Sequence, residues 1–381
     1  MSFCCFSRGN ITFSGDVTLH SGRIELGENE CLGNPARGMV TIRRASNVSA
    51  YLSFKPNVKV SRPVALYGPD ENFYPVRSAT TGTNEFAGPV VIGDNVTKRF
   101  RSGAGNTLLF TGGITGIGMF YVQGYGKYVI AEKPLETTGT LYSDVRADLT
   151  FKVGGNSVGG ITWTGSGSVM RLDVDDAFPG KPTLSVGGGS RIELNGHELR
   201  VGNLVDKSSG NTVDTVVASD EPATLIATPG SSGIASHTRF EGAASFVKAG
   251  GYSMSLKSLS SSTGSVCVTQ STLLFEGGTG WTNGTVVVTN GNAAVMFNPG
   301  ARLGKNVDVY LAHGGKLTLV TDAEIVCRNL YLDGERQRIG TYGNALSSAA
   351  NRSDTYFMAG ESLRGKLVVR GDGTGVTIII R

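Results

Sequence analysis

Short runs in which apolar and polar residues alternate recur along most of the chain. They are clearest in Val17-Thr18-Leu19-His20, Thr285-Val286-Val287-Val288-Thr289 and Lys316-Leu317-Thr318-Leu319-Val320. A period of two belongs to a strand with one buried face. No segment of about 11 residues or more carries a helical period. Turn-forming pairs separate the runs, among them Gly112-Gly113, Gly154-Gly155, Asn195-Gly196, Asn283-Gly284, Asn290-Gly291 and Gly314-Gly315.

A β-sandwich would show similar strands and turns. Here, however, one short unit returns: a small polar residue, two or three apolar positions, then a turn. It appears at Asn106–Phe110, Ser271–Phe275, Lys316–Leu319 and Lys366–Val369. Repetition of one supersecondary unit points to stacked coils. The expected fold is therefore all-β, a right-handed parallel β-helix (β-solenoid) with no significant helix. At about 20 residues per coil the chain would make about 19 coils, stacked about 4.8 Å apart. Open ends of such a stack invite edge pairing. No cap is legible at the N-terminus, and Asn10–Gly15 already reads as strand. The start is expected to be truncated, with further coils upstream. The apolar run Val376–Ile380 is expected to close the last coil or form an edge. The expected organisation is one continuous solenoid: N-terminal coils over 1–79, central coils over 80–239, and closing coils over 240–381.

Composition sharpens this picture. The chain has 55 Gly in 381 residues, about twice normal usage, and only 17% charged residues. Glycine disfavours helices, and β-branched residues favour strands. The net charge is +4, with the charges scattered. Nucleic-acid binding would call for a clustered basic face, so no nucleic-acid partner is expected. Mild basicity suits acidic glycans or anionic cell surfaces. Cys4, Cys5, Cys31, Cys267 and Cys327 show no metal-ligand spacing and no paired framework, so they read as small buried apolar residues. No apolar run is long enough for a membrane helix. The opening MSFCCFSRGN lacks the pattern of a secretion signal.

The stretch Phe240–Phe275 contains Phe246-Val247-Lys248-Ala249-Gly250, then Thr263-Gly264-Ser265-Val266, then Ser271-Thr272-Leu273. It resembles the autotransporter-associated β-strand repeat of bacterial passenger-like surface proteins. Gly304–Val309 and Gly314–Leu319 continue the likeness, as does Leu330-Tyr331-Leu332-Asp333-Gly334 with Gln337, Gly340 and Tyr342. That last segment is similar to the element that follows the final repeat in such proteins. The resemblance runs over about residues 80–370 and is most specific over 240–343. It departs from the pattern at Gly251-Tyr252-Ser253-Met254 and at Ser271. No membrane-barrel pattern follows the repeats. The resemblance implies a β-helical surface or secreted protein and no catalytic residue set.

Residues that carry chemistry are sparse. His20, His197, His237 and His313 lie outside any nucleophile motif, and Gly165-Ser166-Gly167 reads as a turn. The densest acidic spot is Asp173, Asp175 and Asp176. The simplest reading is a solvated strand end starting a turn before Phe178-Pro179-Gly180. If Asp173 and Asp175 instead share one side of a strand, they are candidate Ca²⁺ ligands or a carboxylate pair for glycoside hydrolysis. Asp94 and Asp372 read as turn acids. Trp163, Trp281 and the group Tyr121, Tyr125 and Tyr128 could stack on sugars, with core packing the commoner use. Odd spacing would put Tyr121 and Tyr128 on opposite faces of one strand. Lys98-Arg99-Phe100-Arg101 is the densest basic spot, suited to an acidic glycan or to guarding an edge.

The expectation is a non-enzymatic structural or adhesive β-helix, extracellular or at the cell surface, contacting glycans or surface components. Its rivals are a polysaccharide lyase or glycoside hydrolase and a purely carbohydrate-binding β-helix. No cofactor is expected apart from the candidate Ca²⁺.

Overall fold

The computed structural model describes residues 3–6, 14–33, 38–44, 48–69, 74–78, 81–94, 96–143, 145–207 and 213–371. Among these residues there is no helix, and the fold is a stack of parallel β-coils. The chain divides into two compact units, Met1–Glu193 and Leu194–Arg381.

Between Ala50 and Thr137 each coil lays one strand on each of three sheets, and the three coils that follow in the first unit keep strands on two of them. Thr97–Ser102, Asn106–Phe110 and Ile114–Gly116 form one such coil. Its neighbours pair in parallel register: Phe100 lies against Val76 and Thr97 against Met119. The repeat length varies. Gly22 pairs with Ala50, 28 positions later, and Tyr142 with Thr162, 20 positions later. Coils longer than 20 residues, and a C-terminal segment that leaves the parallel stack, reduce the number of turns to about 13 instead of the expected 19.

Alternation does what the sequence predicts. Along Thr97–Ser102 the residues Lys98, Phe100 and Ser102 are buried, while Thr97, Arg99 and Arg101 face out. Because the register is fixed, inward residues form columns. Leu52, Val76, Phe100 and Val122 are stacked and fully buried. Phe86 and Phe110 lie parallel at 5.3 Å, with Phe100 and Phe120 edge-on against Phe110. Trp163 is also fully buried in this unit, as is Trp281 in the second, so both belong to the core.

The second unit repeats the plan with its own three-sheet coils. Phe275 and Phe297 stack at 5.4 Å, and Trp281 packs 5.5 Å from Phe240. Gly280 shows why glycine is needed between some rungs. Its φ is +150°, and a Cβ there would lie 1.8 Å from the Arg302 carbonyl oxygen.

The C-terminal end of this unit is capped. Asp333 and Gly334, with φ of 49° and 87°, form the tight turn of a hairpin that pairs Tyr331 with Arg336 and Leu332 with Glu335. Phe357 bridges to Leu317 on a second sheet. Lys366–Val369 pairs in parallel with Glu324–Cys327 and antiparallel with Gly340–Gly343. The segment from Leu330 onward thus turns the chain back over strand edges that would otherwise stay open. The expected closing run Val376–Ile380 lies outside the described residues.

The cysteines follow the expectation where they are described. Cys31 and Cys327 are buried, Cys267 is half-buried, and all three are free thiols. Burial pushes the Cys327 thiol up to about 12 and raises Cys31 and Cys267 as well. Cys4 and Cys5 sit on the strand Phe3–Phe6, and their side chains lie outside the described ones.

Candidate functional site

The outward residues of four adjacent rungs in the first unit form the most distinctive surface of the chain. The rungs are Val76–Ser78, Thr97–Ser102, Met119–Gly124 and Thr140–Ser143, next to Ala50–Phe54. Parallel register aligns Ser53, Arg77, Arg101 and Gln123 in one outward column. A second column holds Arg99, Tyr121, Tyr142 and Thr162, of which Tyr121 and Thr162 are buried.

Guanidinium groups and tyrosine rings interleave here. Arg77 lies over Tyr51 at 4.2 Å and over Tyr74 at 5.7 Å. Arg101 lies 5.4 Å from the Tyr74 ring, and Arg99 lies 4.8 Å from Tyr121. Tyr121 meets Tyr142 edge-on at 4.7 Å. Each arrangement lets the ring's electron-rich face attract the cation. It also fixes the guanidinium planes. Thr97, Arg99, Met119, Tyr121 and Tyr142 line an open depression of about 250 Å³.

The four rungs carry Arg77, Lys98, Arg99 and Arg101 and no aspartate or glutamate. Elsewhere in the fold, ion pairs join Arg171 to Asp148 at 3.0 Å, Lys59 to Glu85 at 3.4 Å and Lys366 to Glu324 at 2.9 Å. Burial lowers the Arg77 pKa, and the neighbouring Arg101 charge pushes the same way.

The structure splits the basic run read from the sequence. Lys98 points inward, is 4% exposed, and donates to the Gly68 carbonyl with Asp94 at 3.9 Å. Arg99 and Arg101 point outward. Asp94 also accepts the Gly68 backbone N–H, so it fixes the turn as expected. Arg77, Tyr51 and Tyr74 were missed. The spacing of 24 from Arg77 to Arg101 matches the coil repeat and could have revealed the column.

The tyrosine expectation is corrected. Tyr121 and Tyr128 lie on different strands, because Gly124 turns the chain between them with a φ of 110°. A Cβ on Gly124 would lie 2.4 Å from the Ser102 carbonyl oxygen. Tyr128 is fully buried, and its hydroxyl accepts the Ser102 N–H at 2.7 Å and faces the Phe100 carbonyl at 2.8 Å. Tyr125 stands exposed in the turn, with Arg146 5.1 Å from its ring.

The acidic candidates also fall differently from a shared strand face. The strand Val169–Leu172 ends before Asp173. Asp173, Asp175 and Asp176 are exposed on the following bend and turn, where Asp176 has a φ of 50°. Among the described residues no three His, Cys, Asp or Glu side chains converge as a metal-binding group. His237 is held by Asp206, with Nδ1 2.6 Å from Oδ2. Asp372 lies outside the described residues.

A second surface lies in the capped end of the second unit. It is a cleft of about 510 Å³ lined in part by Asp322, Glu324, Arg364 and Lys366. No helix among the described residues is long and apolar enough to cross a membrane. No protein-family model, curated protein or solved structure matches this chain.

Proposed function

We propose that the protein is a structural and adhesive β-helix, extracellular or at a cell surface and of the passenger-like kind, that contacts glycans or other surface components through a side of its coil stack. The arginine–tyrosine columns carry this reading. A rigid sheet presents polar, aromatic and cationic groups at fixed intervals, which is the geometry a repeating ligand needs. Parallel coils suit such a role because each coil is stabilised by its neighbours, so surface area grows without a new core design. The test is attachment. Beads coated with the purified chain should bind whole cells or a panel of immobilised glycans, and Arg99→Ala with Arg101→Ala should weaken capture. Equal capture by wild type and a correctly folded double variant would remove this surface from the function.

A second reading is action on a polysaccharide in the cleft that Asp322 and Glu324 help to line, since two carboxyl groups do the work of glycoside hydrolysis. New reducing ends formed by the wild type and lost in Glu324→Gln would support it.

A further inference from the structure

We propose that the cleft at the capped end of the second unit binds a short peptide, with an ammonium of the ligand on Asp322, a carboxylate on Arg364 and an apolar side chain against Leu346. The site lies in a different unit from the arginine–tyrosine columns, so it goes beyond the adhesive reading, and it competes with the polysaccharide reading for one cleft.

The cleft forms where two parallel strands begin. Glu324–Cys327 and Lys366–Val369 pair in register, with Glu324 opposite Lys366. Gly365 lets the two segments close up, because a Cβ there would lie 2.5 Å from the Val320 carbonyl oxygen. The Thr321 hydroxyl accepts the Arg364 N–H at 3.3 Å and ties the approaches together. One segment thus brings acids to the cleft and the other brings cations. The remaining wall is the loop that carries Leu346. Asn344, 2% exposed, anchors that loop. Its Nδ2 donates to the Met358 and Leu363 carbonyls at 2.8 and 2.6 Å, and its Oδ1 accepts the Leu346 N–H at 3.0 Å.

The four charges are not equivalent. Glu324 and Lys366 form an ion pair at 2.9 Å. Asp322 and Arg364 come two residues earlier on the same segments and are exposed. Among the described residues neither of their side chains has a hydrogen bond or an ion pair. An unpaired acid and an unpaired guanidinium in one cleft complement a zwitterion. The guanidinium can hold a carboxylate through two parallel N–H bonds, and the carboxylate of Asp322 can accept from an ammonium. A ligand of one sign would meet two like charges, Asp322 with Glu324 or Arg364 with Lys366. Leu346 stands half-exposed beside these charges and suits an apolar side chain. The cleft's 510 Å³ equals about 17 water volumes of about 30 Å³ each, room for a peptide of about two or three residues. Its lining includes no aromatic side chain, the platform that suits a sugar ring.

The experiment titrates the full chain calorimetrically with glycyl-leucyl-glycine, its N-acetylated and C-amidated forms, glycyl-alanyl-glycine, maltotriose and trigalacturonate. Variants are Asp322→Asn, Arg364→Gln, Leu346→Ser, and Arg171→Gln as a control in the first unit. Melting curves establish that each variant folds. Acetylation should weaken binding to the wild type about tenfold and leave Asp322→Asn unaffected. Amidation should do the same to the wild type and leave Arg364→Gln unaffected. Leu346→Ser should abolish the preference for the leucyl over the alanyl peptide, and Arg171→Gln should change nothing. Folded wild type that binds neither peptide overturns the proposal, as does equal binding of free and blocked peptides. Peptide binding that survives both Asp322→Asn and Arg364→Gln overturns the site. A trisaccharide bound more tightly than either peptide returns the cleft to the polysaccharide reading.

Discussion

Lys248 offers a sharp test of how this coil stack tolerates polar residues. It belongs to the most repeat-like segment of the sequence, yet its side chain is fully buried. The ammonium donates to the Gly250 and Gln270 carbonyl oxygens at 2.8 and 2.6 Å. Both acceptors are neutral, and among the described residues no carboxylate forms an ion pair with it. Burial therefore lowers its pKa from 10.5 to about 8. A lysine with a depressed folded pKa carries an unrelieved cost below that value. The unfolded chain binds the proton more tightly, so stability rises with pH between about 8 and 10.5. At about 1.4 kcal/mol per unit the full swing is about 3–4 kcal/mol. The perturbation is Lys248→Met, which keeps the stem and removes the charge. Urea unfolding would be followed by Trp281 fluorescence in a Trp163→Phe background, at several pH values from 7 to 11. Subtracting the variant cancels the titration of tyrosines and cysteines, and the lost hydrogen bonds add an offset that hardly varies with pH. The wild type should gain about 3–4 kcal/mol on the variant across this window. A difference that stays flat, or falls as pH rises, would mean that the ammonium is stabilised in place and that the burial argument is wrong.

Other parts of the fold give independent outcomes. Phe110→Ala empties the centre of the Phe86–Phe110–Phe120 cluster and should cost about 3–5 kcal/mol in chemical unfolding. Gly124→Ala places a Cβ against the Ser102 carbonyl in a left-handed turn, and should lower stability by more than about 1 kcal/mol by the same assay. Gly334→Val breaks the capping hairpin, so static light scattering should report association through the exposed strand edge. Asp173, Asp175 and Asp176 lie exposed on a bend and turn, so adding Ca²⁺ should leave the melting temperature unchanged; an upward shift lost in Asp175→Asn would support the calcium reading.

Much of the architecture is legible in the chain because a solenoid is a local code. Alternation at Thr285–Val288 or Lys316–Leu319 states which side chains face in, and the glycine pairs state where each strand stops. The Asp333-Gly334 turn is equally local, since it needs positive φ at two consecutive residues. The site is less legible. Lys98 and Arg99 are adjacent in sequence but point to opposite sides of the sheet, so a basic run overstated the exposed charge. Arg77 and Arg101 lie 24 positions apart and become neighbours only when the coils close.

The sequence by itself therefore determined the class of structure: strands of period two, turns at glycine, short repeats that bury an apolar face only by stacking. These depend on interactions within a few residues. The tertiary structure decided the coil lengths, about 13 turns in place of 19, and the register between rungs. Register is a long-range quantity, set by how each loop spans to the next strand and by whether columns such as Leu52, Val76 and Phe100 pack without gaps. It alone brought Arg77 beside Arg101 and Tyr121 beside Arg99.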